Sequence, residues 1–213
     1  MKINFLKFSV VGLMLSVSSF ANSGLINPSF EDGLTGWNVN SIGTSFGYGP
    51  QSALATDGSK SMRMYSVTSC ANKGCGGFSF SSGDYIGLSQ SLDFTGITEI
   101  LFDGTLTGSG QSSYQSFIRA AAYIGSTLVW SETSLGQYLN IGIDTTLFSG
   151  LQVLEFRVEA IGAGVDSQSD HIYLDNIRTN EVIAVPDPAT ELLFVPALLG
   201  LMVLRRKAKN SIA

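Results

Sequence analysis

The chain has 213 residues, with 12 Lys+Arg against 17 Asp+Glu for a net charge of −5, 24 glycines, two cysteines and one histidine. A single histidine, His171, cannot supply the usual histidine clusters of catalytic metal centres. The acidic balance removes the Lys and Arg on which nucleic-acid and anionic-lipid binding rest, so neither partner is expected.

Taken from the N-terminus, Lys2 and Lys7 form a cationic region, Phe8 to Val17 an apolar one, and Ser19-Phe20-Ala21 a small-x-small site. That order predicts a signal peptide over residues 1–21 and an exported chain. The body then runs over 22–185, a length suited to one domain with its own core. It carries six Lys+Arg against 15 Asp+Glu, a net of −9, more acidic than the whole chain.

Within the body the apolar residues recur in short period-2 bursts, which predict half-buried strands rather than helices. Strands are expected over 24–30, 37–40, 61–67, 85–94, 99–107, 117–124, 127–132, 154–160 and 171–178. Between the third and fourth of these, Cys70 and Cys75 enclose Ala71-Asn72-Lys73-Gly74. In an oxidising compartment this spacing predicts a small local disulfide ring; a redox or metal role fits less well, because the pattern is not Cys-x-x-Cys. Gly125-Ser126 reads as a two-residue hairpin connection, with glycine where a type II′ turn needs it. Leu154 to Ala160 alternates apolar residues with Glu155, Arg157 and Glu159, so the charges share one face. About ten short strands without a long helix predict an all-β, two-sheet antiparallel sandwich of jelly-roll type. A signal helix is expected before it and an apolar helix after it.

The chain ends in Val185-Pro186-Asp187-Pro188-Ala189-Thr190, an apolar run over 192–204, and the basic group Arg205-Arg206-Lys207-Ala208-Lys209. As a helix the run spans about 20 Å against a hydrocarbon core of roughly 30 Å, so it enters a membrane but anchors poorly. The basic end favours the cytoplasmic side. This order of Pro-rich box, apolar run and basic end over 186–213 resembles the PEP-CTERM sorting signal of Gram-negative bacteria, with Asp187 and Ala189 where that family has Glu and Ser. The resemblance implies an exosortase-type membrane peptidase as partner, through an inner-membrane intermediate, with the cell surface or a biofilm matrix as destination.

A second resemblance lies in the body. Leu25-Ile26-Asn27-Pro28-Ser29-Phe30-Glu31-Asp32-Gly33 with Gly36-Trp37, Asp57-Gly58-Ser59-Lys60-Ser61-Met62-Arg63-Met64 and Tyr173-Leu174-Asp175-Asn176-Ile177 are similar to framework segments of jelly-roll carbohydrate-binding modules of the galactose-binding-like group. The resemblance implies a structural Ca²⁺ site, with carboxylates from Glu31 and Asp175 and backbone carbonyls from Ser29, Asp57 and Lys60. Oxygen ligands of this kind suit the ion.

A sugar site needs aromatic faces with hydrogen-bonding groups beside them. Tyr114, Gln115 and Arg119, then Trp130 and Glu132, then Glu155, Arg157 and Glu159 are expected to provide these if their strands share a sheet. Trp37 and Phe117 are expected in the core. The nucleophile-elbow pattern Gly43-Thr44-Ser45-Phe46-Gly47 lacks the strand-turn-helix setting it requires. Glu155 and Glu159 stand about 13 Å apart along a strand, too far for a glycosidase pair. The sequence thus predicts a non-catalytic exported protein associated with exopolysaccharide. The alternatives are a purely structural surface protein and a small polysaccharide hydrolase.

Overall fold

Strict alternation on the expected strands decides the architecture, because it gives each strand one apolar side that must face another layer. The computed structural model describes residues 24–43, 46–66, 78–108, 117–166 and 169–181. The signal peptide, both cysteines, Tyr114, Gln115 and the C-terminal tail lie outside these residues. The chain divides into two units at residues 180 and 181; everything that follows concerns the first unit and the strand that ends at Glu181.

The strands are β1 (Asn38–Ile42), β2 (Phe46–Gln51), β3 (Ser61–Ser66), β4 (Phe78–Phe80), β5 (Tyr85–Asp93), β6 (Ile97–Gly108), β7 (Ile118–Ile124), β8 (Thr127–Glu132), β9 (Gly136–Asp144), β10 (Leu151–Ala160), β11 (Gly164–Asp166) and β12 (Asp170–Glu181). Two five-stranded sheets form the sandwich. Sheet A has the order β1-β5-β10-β7-β8 and sheet B the order β2-β3-β12-β6-β9, while β4 and β11 form a separate antiparallel pair. From β5 onward the chain crosses repeatedly between the sheets: β5 in A, β6 in B, β7 and β8 in A, β9 in B, β10 in A and β12 in B. Such crossing gives the jelly-roll sandwich its closed core.

The core is made by the inward sides of both sheets. Leu154, Phe156 and Val158 of β10 are fully buried, as are Met62 and Met64 of β3, Ile100 and Phe102 of β6, and Ile172 and Leu174 of β12. Phe102 and Phe156 meet edge to face at 4.9 Å, and Trp37 packs against Phe30 at 5.3 Å and Phe156 at 6.4 Å. Each fully buried phenylalanine contributes about 2–3 kcal/mol by removal of its surface from water. Trp37 belongs to this cluster, as expected, and Phe117 is half-buried and packs against it.

Two parts of the sequence reading change. Residues 24–30 form turns and bends rather than a strand. Asn27 and Phe30 have φ values of 50° and 55°, in the left-handed region that a strand cannot use. The Phe30 amide donates to Asn27 O and the Gly33 amide to Phe30 O, closing consecutive turns. The segment is instead pinned to sheet A by Gln90: its amide nitrogen donates to Ile26 O (3.1 Å) and Gly36 O (2.9 Å), and its oxygen accepts from Ile26 N (2.8 Å). The second change is that β2, β4, β9 and β11 were not expected. β2 carries Gly47, Gly49 and Pro50, which weaken a strand, and it survives as the edge of sheet B. β9 is broken by Asn140 at φ 55°, where its pairing with β6 shifts register beside Asp103.

Candidate functional site

The outer side of sheet A is read off the pairing register, since residues directly opposite share a face. Across β5, β10 and β7 the rows are Ser89-Glu155-Tyr123, Gly87-Arg157-Ala121 and Tyr85-Glu159-Arg119. β1 extends the middle row with Asn40 opposite Gly87. Arg157 lies at the centre, flanked by the small residues Gly87 and Ala121, with the two tyrosines diagonally on either side.

The contacts follow from this grid. The Arg157 guanidinium stacks over the Tyr85 ring at 4.1 Å and the Tyr123 ring at 4.4 Å. It bonds Glu155 Oε2 at 2.5 Å and stands 3.9 Å from Glu159 Oε2. Arg119 donates to Glu159 Oε1 at 2.6 Å, and the Tyr123 hydroxyl donates to the same oxygen at 2.8 Å. Asn40 donates to Glu155 Oε1 at 3.0 Å and to Ser89 Oγ at 2.9 Å. Glu155 and Glu159 are only 5% and 7% exposed, so they are not solvated face charges; they are covered carboxylates that hold two arginines in place. A Cβ on Gly87 would stand 2.6 Å from Glu155 Oε1, so a larger residue here would push that carboxylate from its place.

Burial alone would lower the affinity of both arginines for their proton, but the carboxylates beside them outweigh it, so each is held above the ordinary arginine range. Burial also raises the Tyr123 hydroxyl, as does the negative Glu159 beside it. The face therefore presents fixed guanidinium groups, an amide, a serine hydroxyl and two tyrosines. These groups can donate and accept hydrogen bonds to a polyol while the rings supply apolar surface.

Of the residues expected to bind sugar, Arg119, Glu155, Arg157 and Glu159 are brought together here. Trp130 is not: its ring meets Phe102 of the core at 5.2 Å, because β8 pairs it with Ala122 on the inward side. Glu132 is not either. Its carboxylate caps the turn after β8, accepting from the amides of Thr133 and Ser134 at 2.8 Å each. Tyr85, Tyr123, Asn40 and Ser89 were missed. Their strands, except for part of β1, were expected, but only the register shows which of their residues face Arg157.

The residues expected around calcium converge on the loop between β2 and β3. Glu31 Oε1 accepts from the amides of Ser59 and Lys60 at 2.7 Å each, and Glu31 Oε2 accepts from the Ser59 hydroxyl at 2.7 Å. These bonds hold its carboxyl below the usual glutamate range. Asp175 Oδ2 accepts from the amides of Thr56 (2.6 Å) and Asp57 (2.8 Å), and Ser29 Oγ donates to Asp57 Oδ2 at 2.5 Å. Lys60 Nζ donates to Glu31 O at 2.5 Å. Among the described residues no three His, Cys, Asp or Glu gather as a metal set. The donor chemistry suits Ca²⁺, but amide hydrogens face both carboxylates and an ammonium faces the Glu31 carbonyl. An ion would enter only by displacing them.

No family model matches the chain, and no curated protein does either. Among solved structures it is similar to a carbohydrate-binding module in complex with β-1,4-galactotriose, with 16% identity over 74% of this chain and 97% of that one and a TM-score of 0.42. It is also similar to a carbohydrate-binding module specific for non-crystalline cellulose, with 15% identity over 73% and 93% of the two chains and a TM-score of 0.45. A third is the xylan-binding domain CBM22-1 of Paenibacillus barcinonensis Xyn10C, with 18% identity over 76% and 97% and a TM-score of 0.41.

Proposed function

We propose that this is a non-catalytic exported protein that associates with exopolysaccharide through the outer side of sheet A, and that its C-terminal segment addresses it to the cell surface or matrix through an exosortase-type peptidase. The observation that carries the binding proposal is Arg157, stacked between Tyr85 and Tyr123 and fixed by covered carboxylates on an outer face. A solvated strand face needs no such arrangement. Side chains already fixed lose little freedom on meeting a ligand, which favours binding to a flexible polymer.

The test is binding of the full-length protein, in mild detergent, to a panel of neutral polysaccharides. Tyr85→Ala and Asn40→Ala, both of which leave the two ion pairs of Arg157 intact, are expected to weaken binding about tenfold or more, the loss of one or two good contacts. Equal affinity in wild type and both variants, or no binding by a folded sample, rejects the proposal. Reducing ends appearing during incubation would instead select the hydrolase.

A further inference from the structure

The outer side of sheet B carries a second constellation that the proposal above does not use. Here the register gives two rows across β2, β3 and β12: Gly47-Tyr65-His171 and Gly49-Arg63-Tyr173. Met62 and Met64 point into the core, so Arg63 and Tyr65 face outward. The rings of Tyr65, His171 and Tyr173 form a continuous row, with centroids 5.4 Å and 6.2 Å apart. Arg63 stacks over Tyr65 at 4.3 Å.

Arg63 differs from the arginines of sheet A in what it lacks. The three ion pairs among the described residues involve Arg119 and Arg157 only. Arg63 Nε is buried and has no hydrogen-bond partner. Its charge is thus uncompensated locally, in a body whose net charge is −9. Burial together with this positive neighbour holds His171 below the ordinary histidine range, so the imidazole adds no cation and offers a neutral ring. Beside Arg63 the surface is open: a Cβ on Gly49 would meet nothing within 4 Å, whereas one on Gly47 would stand 2.5 Å from the Tyr65 ring that lies over it. One glycine seats the ring and the other leaves open space on the strand opposite Arg63.

We infer that this face of sheet B is a second ligand site, and that Arg63 there takes the carboxylate of an acidic pyranose such as a uronic acid residue in a polysaccharide. The planar guanidinium matches a carboxylate in two parallel bonds, and the tyrosine rings offer apolar faces for the C–H side of the sugar. A neutral sugar would leave the lone cation unanswered. The occupant is an acidic sugar rather than an anionic membrane, because one guanidinium answers one carboxylate, whereas anionic membranes are held by clusters of several Lys and Arg. The site does not depend on the sheet A reading.

The experiment is titration calorimetry of the full-length protein with tetragalacturonate and with its methyl ester. Wild type is expected to bind the acid and to bind the ester about tenfold or more weakly, and Arg63→Gln to weaken the acid by a similar factor. Gly49→Val puts a branched side chain into the open space opposite Arg63, where a Cβ meets nothing within 4 Å, and is expected to abolish binding while the melting temperature holds; it decides the matter should Arg63→Gln fail to fold. Tyr85→Ala on sheet A should leave uronate affinity unchanged. Equal binding of acid and ester, binding insensitive to Gly49→Val, or no binding overturns the inference. Loss of uronate binding with Tyr85→Ala overturns it in favour of sheet A, whereas failure of the neutral panel alone rejects only the sheet A proposal.

Discussion

Gln90 shows how much one side chain can hold. It is 5% exposed and makes three hydrogen bonds to the backbone of the opening segment, at Ile26 and Gly36. Replacing it with leucine keeps the volume but leaves an amide and two carbonyls of that segment without partners. Gln90→Leu is therefore expected to destabilise the domain by about 3 kcal/mol, read as a lower urea midpoint at unchanged slope; a loss below about 0.5 kcal/mol would show that water replaces all three bonds. Sequence reading could not find this pin. Gln90 sits in a strand that was expected, but its partners lie 54 and 64 positions away, Ile26 in a segment taken for a strand and Gly36 in the turn after it. The misreading has a cause in Phe30, whose φ of 55° no local preference for a bulky residue would suggest.

Among the elements, the ones legible in sequence are those with clean alternation and a strong turn. β7 and β8 are joined as expected, with Ile124 opposite Thr127 and Gly125 at φ 59°. A β-branched residue there is strained, so Gly125→Val is expected to cost about 1–2 kcal/mol and to speed exchange of the β7 and β8 amides over those of β5. Uniform exchange across sheet A would mean that the turn does not set local stability. The same alternation placed Glu155, Arg157 and Glu159 on one face, so half of the site was legible. The other half was not: Tyr85, Asn40, Ser89 and Tyr123 reach Arg157 only through the pairing register, and a bulge between Ala122 and Tyr123 changes which residues of β8 face inward, so Trp130 goes to the core. β2 and β9 were hidden for a related reason. Glycines, a proline and the left-handed Asn140 break the periodic signal, while pairing with a neighbour still supports the strand.

At the scale of the whole molecule, the opening segment, the loop between β2 and β3 and the final strand meet at Glu31 and Asp175. Asp103 joins them from β6: it accepts from Asn140 N at 2.7 Å and Asn176 Nδ2 at 3.0 Å, and although burial pushes its carboxyl up, these donors, Thr56 and Arg178 bring it below the usual aspartate range. We propose that calcium, where it binds, replaces the Lys60 ammonium and part of this hydrogen bonding. A melting temperature that rises with millimolar Ca²⁺ and falls again with chelator is the expected outcome, larger in Lys60→Met, where nothing competes for the Glu31 carbonyl. No response in either protein would mean that hydrogen bonds alone make the clasp.

The place of β12 has a mechanical consequence. It lies inside sheet B with β3 on one side and β6 on the other, and it is the last described strand, ending at Glu181. β3 pairs with it over His171 to Leu174, so a pull arriving along the chain from beyond Glu181 reaches a stretch held on both flanks, where rows of backbone hydrogen bonds shear together rather than peel one at a time from an edge. Asp175, gripping the amides of Thr56 and Asp57, passes part of that tension to the loop between β2 and β3. Were the chain to end instead on β2 or β9, the same tug would unzip the sheet from its rim.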